Sequence, residues 1–175
     1  SLPWTPKSPY GVSKRCVIDY LVAYRDMYDL EFSALALANV YGPRQDPLGE
    51  GGVIAIFGKN LAEGRQSTIN GDGEYTRDFV FVDDVVDAFS RAAERGGGLV
   101  LNIASGKETS INALYDVMAA HVPAPAPPRH GPQRAGDVRR SCLDPGRAGI
   151  HLGWKPWTSL AEGTRAVIES FEQAG

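Results

Sequence analysis

The chain of 175 residues holds only two cysteines, two methionines and three histidines. Cys16 and Cys142 lie far apart with no metal-binding spacing and no disulfide framework. That pattern fits a reducing compartment and reads as two small core residues. No stretch approaches the roughly 20 apolar residues of a membrane-spanning helix. The opening residues have no signal-like pattern, and the expected location is the cytoplasm. Positive charge is not in excess: 18 Lys and Arg stand against 21 Asp and Glu, for a net charge of −3. Such a balance argues against nucleic acid or an anionic membrane as the main partner, and makes any basic cluster a local anion site.

What is present is enough apolar material, 43% of residues, to bury a core. Ser8 can cap a helix and Pro9 suits its first position, so a helix is predicted from Pro9 to Tyr28. Its apolar residues run nearly all the way round and call for burial on two sides, one against a sheet and one against another subunit. The apolar run 32–38 reads as a strand of a parallel sheet covered on both faces. Asn39 to Arg44 is expected to break regular structure just past that strand's carboxyl end, where open α/β sheets bind ligands. A helix from Val53 to near Gly64, strands around Thr68–Asn70 and Asp78–Val82, and a helix capped by Asp83 follow. Beyond a strand at 98–103, helices open at Ser110, Asp144-Pro145 and Ser159, with the proline-rich run 123–128 as a stiff linker. Strands alternating with helices indicate an α/β fold.

The chemistry-bearing feature is Tyr10-Gly11-Val12-Ser13-Lys14, which puts a phenol and an ammonium on one helix face. A free phenol, with a pKa of about 10, is a poor base at neutral pH, and a nearby cation favours the phenolate. An exposed ammonium supplies little by itself, so a second cation such as a bound nicotinamide is expected beside it. A phenol in that setting can exchange a proton with a sugar or alcohol hydroxyl.

Three strings then recur in order: Tyr10 to Lys14, Asn39-Val40-Tyr41-Gly42-Pro43-Arg44-Gln45-Asp46-Pro47, and Thr76-Arg77-Asp78-Phe79-Val80-Phe81-Val82-Asp83-Asp84-Val85. With Asn102 to Gly106, Arg134 to Val138 and Leu152-Gly153-Trp154, they resemble the extended short-chain dehydrogenase/reductases that act on nucleotide sugars. Gly42 to Pro47, Val53 to Phe57 and Arg140 to Asp144 most resemble the bacterial UDP-glucose 4-epimerase subgroup.

The resemblance implies NAD as cofactor and a UDP-sugar as substrate, interconverting UDP-glucose and UDP-galactose through a 4-keto sugar. It makes Tyr10 the acid/base at the sugar 4-hydroxyl and Lys14 its electrostatic partner, which also holds the nicotinamide ribose. Asn39 matches a position that meets the hexose or diphosphate. Arg77 and Arg134 match a pair that clamps the diphosphate, a task suited to guanidinium forks. Asp137 matches a carboxylate that accepts from the uridine ribose. Gly52, Val53, Thr68 and Asn70 match stretches that meet the sugar phosphate and uracil largely through backbone groups.

Ser141 falls where some epimerases place a bulky tyrosine, which predicts room for an N-acetyl group at C2. Ala36 and Leu37 replace an arginine and a tyrosine of many relatives, which affects packing near the nicotinamide rather than the chemistry. The expected fold is the carboxyl-terminal portion of a Rossmann-type parallel sheet with a small α/β substrate domain. Residues 1–40 and about 83–106 form the first part, and 41–82 and 107–175 the second. The glycine-rich dinucleotide fingerprint is expected before residue 1, since Gly49-Glu50-Gly51-Gly52 lacks the required spacing and strand. On this reading the chain is a carboxyl-terminal half, inactive alone, of a parent that dimerises through the Tyr10–Tyr28 helix. Alternatives are a 4,6-dehydratase, a UDP-glucuronate decarboxylase, which usually has Ser where this chain has Asp78, or a nucleotide-sugar binding module without catalysis.

Overall fold

A computed structural model describes residue 6 and residues 8–48, 52–123, 125–133 and 136–173. Helix α1, Pro9–Tyr28, starts as its sequence directs: the Ser8 hydroxyl accepts from the Gly11 N–H at 3.1 Å and Pro9 fills the first turn. It ends at Asp29, whose left-handed backbone lets its N–H reach the Arg25 carbonyl at 2.9 Å. Strand β1, Ser33–Leu37, follows. The chain then crosses at Ala38 into β2, Asn39–Tyr41.

The remaining elements are α2 (Val53–Ala62), β3 (Thr68–Asn70), β4 (Thr76–Arg77), β5 (Phe79–Phe81), α3 (Val82–Ala92) and β6 (Leu99–Ile103). After them come β7 (Thr109–Ser110), α4 (Ile111–Ala119), β8 (Arg129–Gly131), α5 (Gly146–Leu152) and α6 (Leu160–Glu172). Strands pair two by two. β1 lies parallel to β6, from Ser33 opposite Leu99 to Leu37 opposite Ile103. β2 is parallel to β5, β3 is parallel to β8, and β4 is antiparallel to β7. This is a mixed α/β fold of the Rossmann type, with parallel pairs and helical crossovers.

Two apolar cores organise it, and β5 serves both. Side chains alternate along a strand, so Phe79 and Phe81 enter one core and Val80 the other. The first core packs β2 and β5 against α2, α4 and α6 through Tyr41, Ile54, Phe57, Leu114, Met118 and Val167. The second packs β1 and β6 against α3 and α5 through Val85, Ala88, Leu101, Ile103, Leu152 and Trp154. Trp154 is seated by its indole N–H, which donates to the Asp84 carbonyl of α3 at 2.8 Å. At the other end of α3, the Arg91 guanidinium reaches the Gly153 carbonyl at 2.9 Å.

Several expectations change. Asn39–Tyr41 is a strand, because the Ala38 N–H stays tied to Ile103 while the Asn39 N–H is taken by the Asp78 carbonyl, each at 2.9 Å. Asp83 is not a cap: α3 begins one residue earlier, after Phe81, and Asp83 and Asp84 occupy its first turn, where the helix dipole favours carboxylates. Cys16 and Cys142 are exposed thiols rather than core residues. In α1 no residue is buried, and Tyr10, Tyr20, Met27 and Tyr28 stand at 66–71% exposure. The linker is anchored, since Ala126 and Pro127 carbonyls accept from Tyr115 and Gln66, and the short strands β4, β7 and β8 appear where none was expected.

Gly163 in α6 marks the closest approach of that helix to the sheet. A Cβ there would sit 2.8 Å from Phe81 Cδ2 and 2.9 Å from Tyr41 Cζ. Alanine gains about 1 kcal/mol of helix propensity, but overpacking of this kind typically costs 1–3 kcal/mol or more. We expect Gly163→Ala to lower the urea midpoint; a raised midpoint would show that the rings yield freely.

Candidate functional site

A cleft of about 320 Å³ opens over the first core, a volume within the range of small-molecule sites. One wall is the end of β2 and its connection to α2, with Asn39, Gln45 and Gly52. The opposite wall is β3, carrying Thr68 and Asn70, together with Gln133, which follows β8. Arg77 of β4 and Asp137 complete the rim, and Ile54, Phe57, Ile69, Phe79 and Ile111 line it with apolar surface.

The start of α2 supplies the first polar feature. Gly52 is its N-cap and gives no side-chain hydrogen bond. The first-turn N–H groups therefore have no side-chain cap, next to Val53 and Ile54 in the cleft. The second is Arg77, largely covered, with 18% of its side chain exposed. Its Nη1 donates to the Thr76 and Val138 carbonyls at 2.8 and 2.6 Å, and its Nη2 to Asp137 Oδ1 at 3.3 Å. Uncapped helix N–H groups and a held guanidinium both favour an anion.

Arg77 is held in place by its neighbour. Strand alternation sends Asp78 the other way, to 1% exposure. Its Oδ1 accepts from the Ser105 N–H and hydroxyl at 2.8 and 2.6 Å, and its Oδ2 from the Gly106 and Leu143 N–H groups at 3.0 and 3.3 Å. The Cys142 thiol lies 3.5 Å from the same oxygen. Desolvation, then the hydrogen bond and charge of Asp78, push that thiol's pKa up, so Cys142 is a poor nucleophile despite its exposure. Behind Arg77, Glu108 takes Thr76 and Arg140 as donors at 2.7–3.0 Å, and those bonds hold its carboxyl below the usual range. Under the cleft, burial pushes the Tyr41 phenol well above its ordinary value, with Asp84 and Glu162 adding to the effect.

Of the residues singled out in the sequence, the cleft gathers Asn39, Gly52, Val53, Thr68, Asn70, Arg77 and Asp137. Tyr10 and Lys14 stand apart on α1, with Lys14 Nζ 5.3 Å from the Tyr10 ring centroid. Ser141 does not line the cleft; its N–H donates to the Thr76 carbonyl at 3.2 Å. Arg134 lies outside the described residues. Gln45, Tyr75 and Gln133 line the cleft without having been singled out for it; Gln133 Nε2 donates to the Tyr75 hydroxyl. For Tyr75, its place directly before Thr76-Arg77 was the available signal. No group of three or more His, Cys, Asp and Glu among the described residues could hold a metal, and no described helix is long and apolar enough to cross a membrane.

Residues 1–104 match the family described as NAD dependent epimerase/dehydratase. The chain belongs to this family. It is 52% identical over 171 residues to a UDP-glucose 4-epimerase of Mycolicibacterium smegmatis, covering 97% of this chain and 55% of that protein. The crystal structure of a Thermotoga maritima UDP-glucose 4-epimerase with UDP-glucose superposes with a TM-score of 0.95 at 44% identity, over 97% of this chain and 55% of that one. A UDP-N-acetylglucosamine 4-epimerase of Methanobrevibacter ruminantium, in complex with UDP-N-acetylmuramic acid, gives 0.93 at 30% identity over 98% and 56%. The chain thus spans about half the length of the relatives it matches.

Asp78 offers a direct check on how the cleft is held. In Asp78→Asn one carboxylate oxygen becomes an NH2 group facing N–H donors. Leaving buried donors unpaired costs about 1–3 kcal/mol each. The expected loss is about 2–4 kcal/mol in urea denaturation, and an unchanged midpoint would mean the two loops are held by other contacts.

Proposed function

We propose that this chain is the carboxyl-terminal, substrate-binding part of an NAD-dependent nucleotide-sugar 4-epimerase acting on UDP-glucose and UDP-galactose. The observation that carries this reading is the convergence of Asn39, Gly52, Val53, Thr68, Asn70, Arg77 and Asp137 on one cleft. These residues come from five separate stretches of chain, so their meeting is a property of the fold.

In this reading the diphosphate lies against Arg77 and the open first turn of α2, where charge and dipole act together. Arg134 joins Arg77 there. Asp137 already faces Arg77 and accepts from the ribose hydroxyls. The uracil meets backbone groups at Thr68 to Asn70, and Asn39 meets the hexose. Tyr10 takes the proton of the sugar 4-hydroxyl and returns it, with the Lys14 ammonium beside it.

The Tyr10 and Lys14 pair fits an NAD site: both are exposed on one helix face, with the Lys14 ammonium 5.3 Å from the centre of the Tyr10 ring. Tyr10 and Lys14 would hold the nicotinamide ribose, and NAD when bound supplies reversible oxidation at the sugar C4 carbon. The dinucleotide fold itself belongs to a preceding amino-terminal half of the parent, so the 175-residue chain binds substrate but does not turn it over. The exposed apolar surface of α1 supports assembly of that parent as a homodimer through the Pro9–Tyr28 helix. On this reading the parent is an enzyme of galactose metabolism in the cytoplasm.

Calorimetric titration of the chain with UDP-glucose and, separately, with NAD tests the division of labour. Binding of UDP-glucose but not NAD, with affinity lost about tenfold or more in Arg77→Ala, is the expected result. NAD binding by this chain would overturn the division, and Arg77→Ala with undiminished UDP-glucose binding would remove the guanidinium from the site.

We further propose that Ser141 leaves room for an N-acetyl group, a reading favoured by the fit to a structural neighbour whose ligand is an N-acetylated UDP-sugar. In the full-length enzyme, Ser141→Tyr should lower turnover of UDP-N-acetylglucosamine relative to UDP-glucose. An unchanged ratio would rule out this position as a size filter.

A further inference from the structure

The rim of the cleft that carries Asp137 is held by little backbone. Residues 137–143 run beside β4 and meet it at a parallel bridge, with Thr76 opposite Arg140. Two backbone hydrogen bonds make the bridge: the Thr76 N–H donates to the Arg139 carbonyl at 3.0 Å, and the Ser141 N–H to the Thr76 carbonyl at 3.2 Å. On its other side β4 pairs with β7 over two residues, Thr76 with Ser110 and Arg77 with Thr109. Pairings this short are marginal in water without other support.

One side chain ties all three stretches together. Glu108 stands directly before β7. Its Oε2 accepts from the Thr76 hydroxyl at 2.8 Å and from Arg140 Nε at 3.0 Å, and its Oε1 from Arg140 Nη2 at 2.7 Å. Both residues of the bridge are therefore bound by the same carboxylate. An exposed ion pair contributes little as a rule, but a two-point guanidinium fork that shares its carboxylate with a third donor is better placed to matter. Neither Glu108 nor Arg140 lines the cleft.

The consequence falls on Arg77. Two of the acceptors that hold its guanidinium, the Val138 carbonyl at 2.6 Å and Asp137 Oδ1 at 3.3 Å, belong to the stretch that Glu108 clasps. The third is the carbonyl of Thr76, the other residue in the clasp. Asp78 anchors the far end of the stretch at Leu143, whereas Asp137 lies beyond the bridge. If the bridge loosens, Arg77 loses its fixed direction, and a side chain that must be ordered during binding returns less affinity.

We propose that Glu108 is a positioning residue for substrate binding: by clasping Thr76 and Arg140 it holds residues 137–143 against β4 and so aligns Arg77 and Asp137 for a nucleoside diphosphate. The role rests on the nucleotide-sugar reading of the cleft. It acts on binding and not on proton exchange, since Tyr10 and Lys14 lie on α1, away from the clasp.

The test uses the full-length parent with NAD bound, titrated with UDP and assayed with UDP-glucose. Glu108→Gln keeps an acceptor for Thr76 and removes the charged fork, and Arg140→Gln removes the fork from the other side. Each should weaken UDP binding about threefold to fivefold. KM for UDP-glucose should rise by a similar factor, with kcat unchanged. The exchanged pair, Glu108→Arg with Arg140→Glu, rebuilds the fork with its ends reversed and the Thr76 hydroxyl accepting, and should recover most of the affinity. A clasp that serves stability alone would lower the thermal midpoint of the single variants and leave UDP affinity unmoved, which overturns the proposal. An exchanged pair that binds UDP no better than the single variants overturns it too, as does a fall in kcat with KM unchanged. Should Glu108→Gln fail to fold, Arg140→Gln decides by itself, because the Arg140 side chain is 72% exposed. Failure of the unaltered protein to bind either UDP or UDP-glucose would instead refute the nucleotide-sugar reading, and the role of Glu108 with it.

Discussion

A carboxylate buried in the interior must be saturated with donors, and the Asp78 side chain meets that demand by drawing in two distant loops. Ser105 and Gly106 come from the end of β6, and Cys142 and Leu143 from a stretch some 65 residues beyond Asp78. Removing a buried charge's partners is far more costly than any gain from the pair itself, so the arrangement fixes both loops against β5. Arg77, one residue away and facing the other side, inherits that rigidity. Its carbonyl partners, Thr76 and Val138, lie on the same framework.

The same economy appears in β5. With three residues it supplies Phe79 and Phe81 to one core and Val80 to the other, so the two packing units share a strand. β2 does likewise, with Tyr41 in the first core and Val40 against the second. The cleft lies where this shared pair ends and α2 begins. Its walls move only if the cores move, and close-packed interiors resist such movement.

Helix α1 obeys a different rule. Its start and stop are fixed locally by Ser8, Pro9 and Asp29, yet none of its residues is buried and its tyrosines face outward. Local signals can build a helix whose apolar surface remains to be covered by something else. Tyr10 and Lys14 ride on that surface, away from the cleft. The chemistry proposed for them therefore needs an additional wall.

The amino-acid sequence by itself determined the elements whose signals are local. Ser8, Ser110 and Ser159 accept at the starts of α1, α4 and α6, the last as a capping box with Glu162. The apolar runs at β1 and β6 made the parallel pair, and Arg77 and Asp137 carried side-chain types that suit an anionic, hydroxyl-rich ligand. Only the tertiary structure decided the short strands β4, β7 and β8. A strand of two or three residues, such as β4 or β8, has too few side chains to show a period and is held by hydrogen bonds to partners some 30 to 60 residues away. The role of Asp78 was hidden for the same reason. Burial and unpaired lone pairs are relations between distant groups, and no spacing along the chain encodes them.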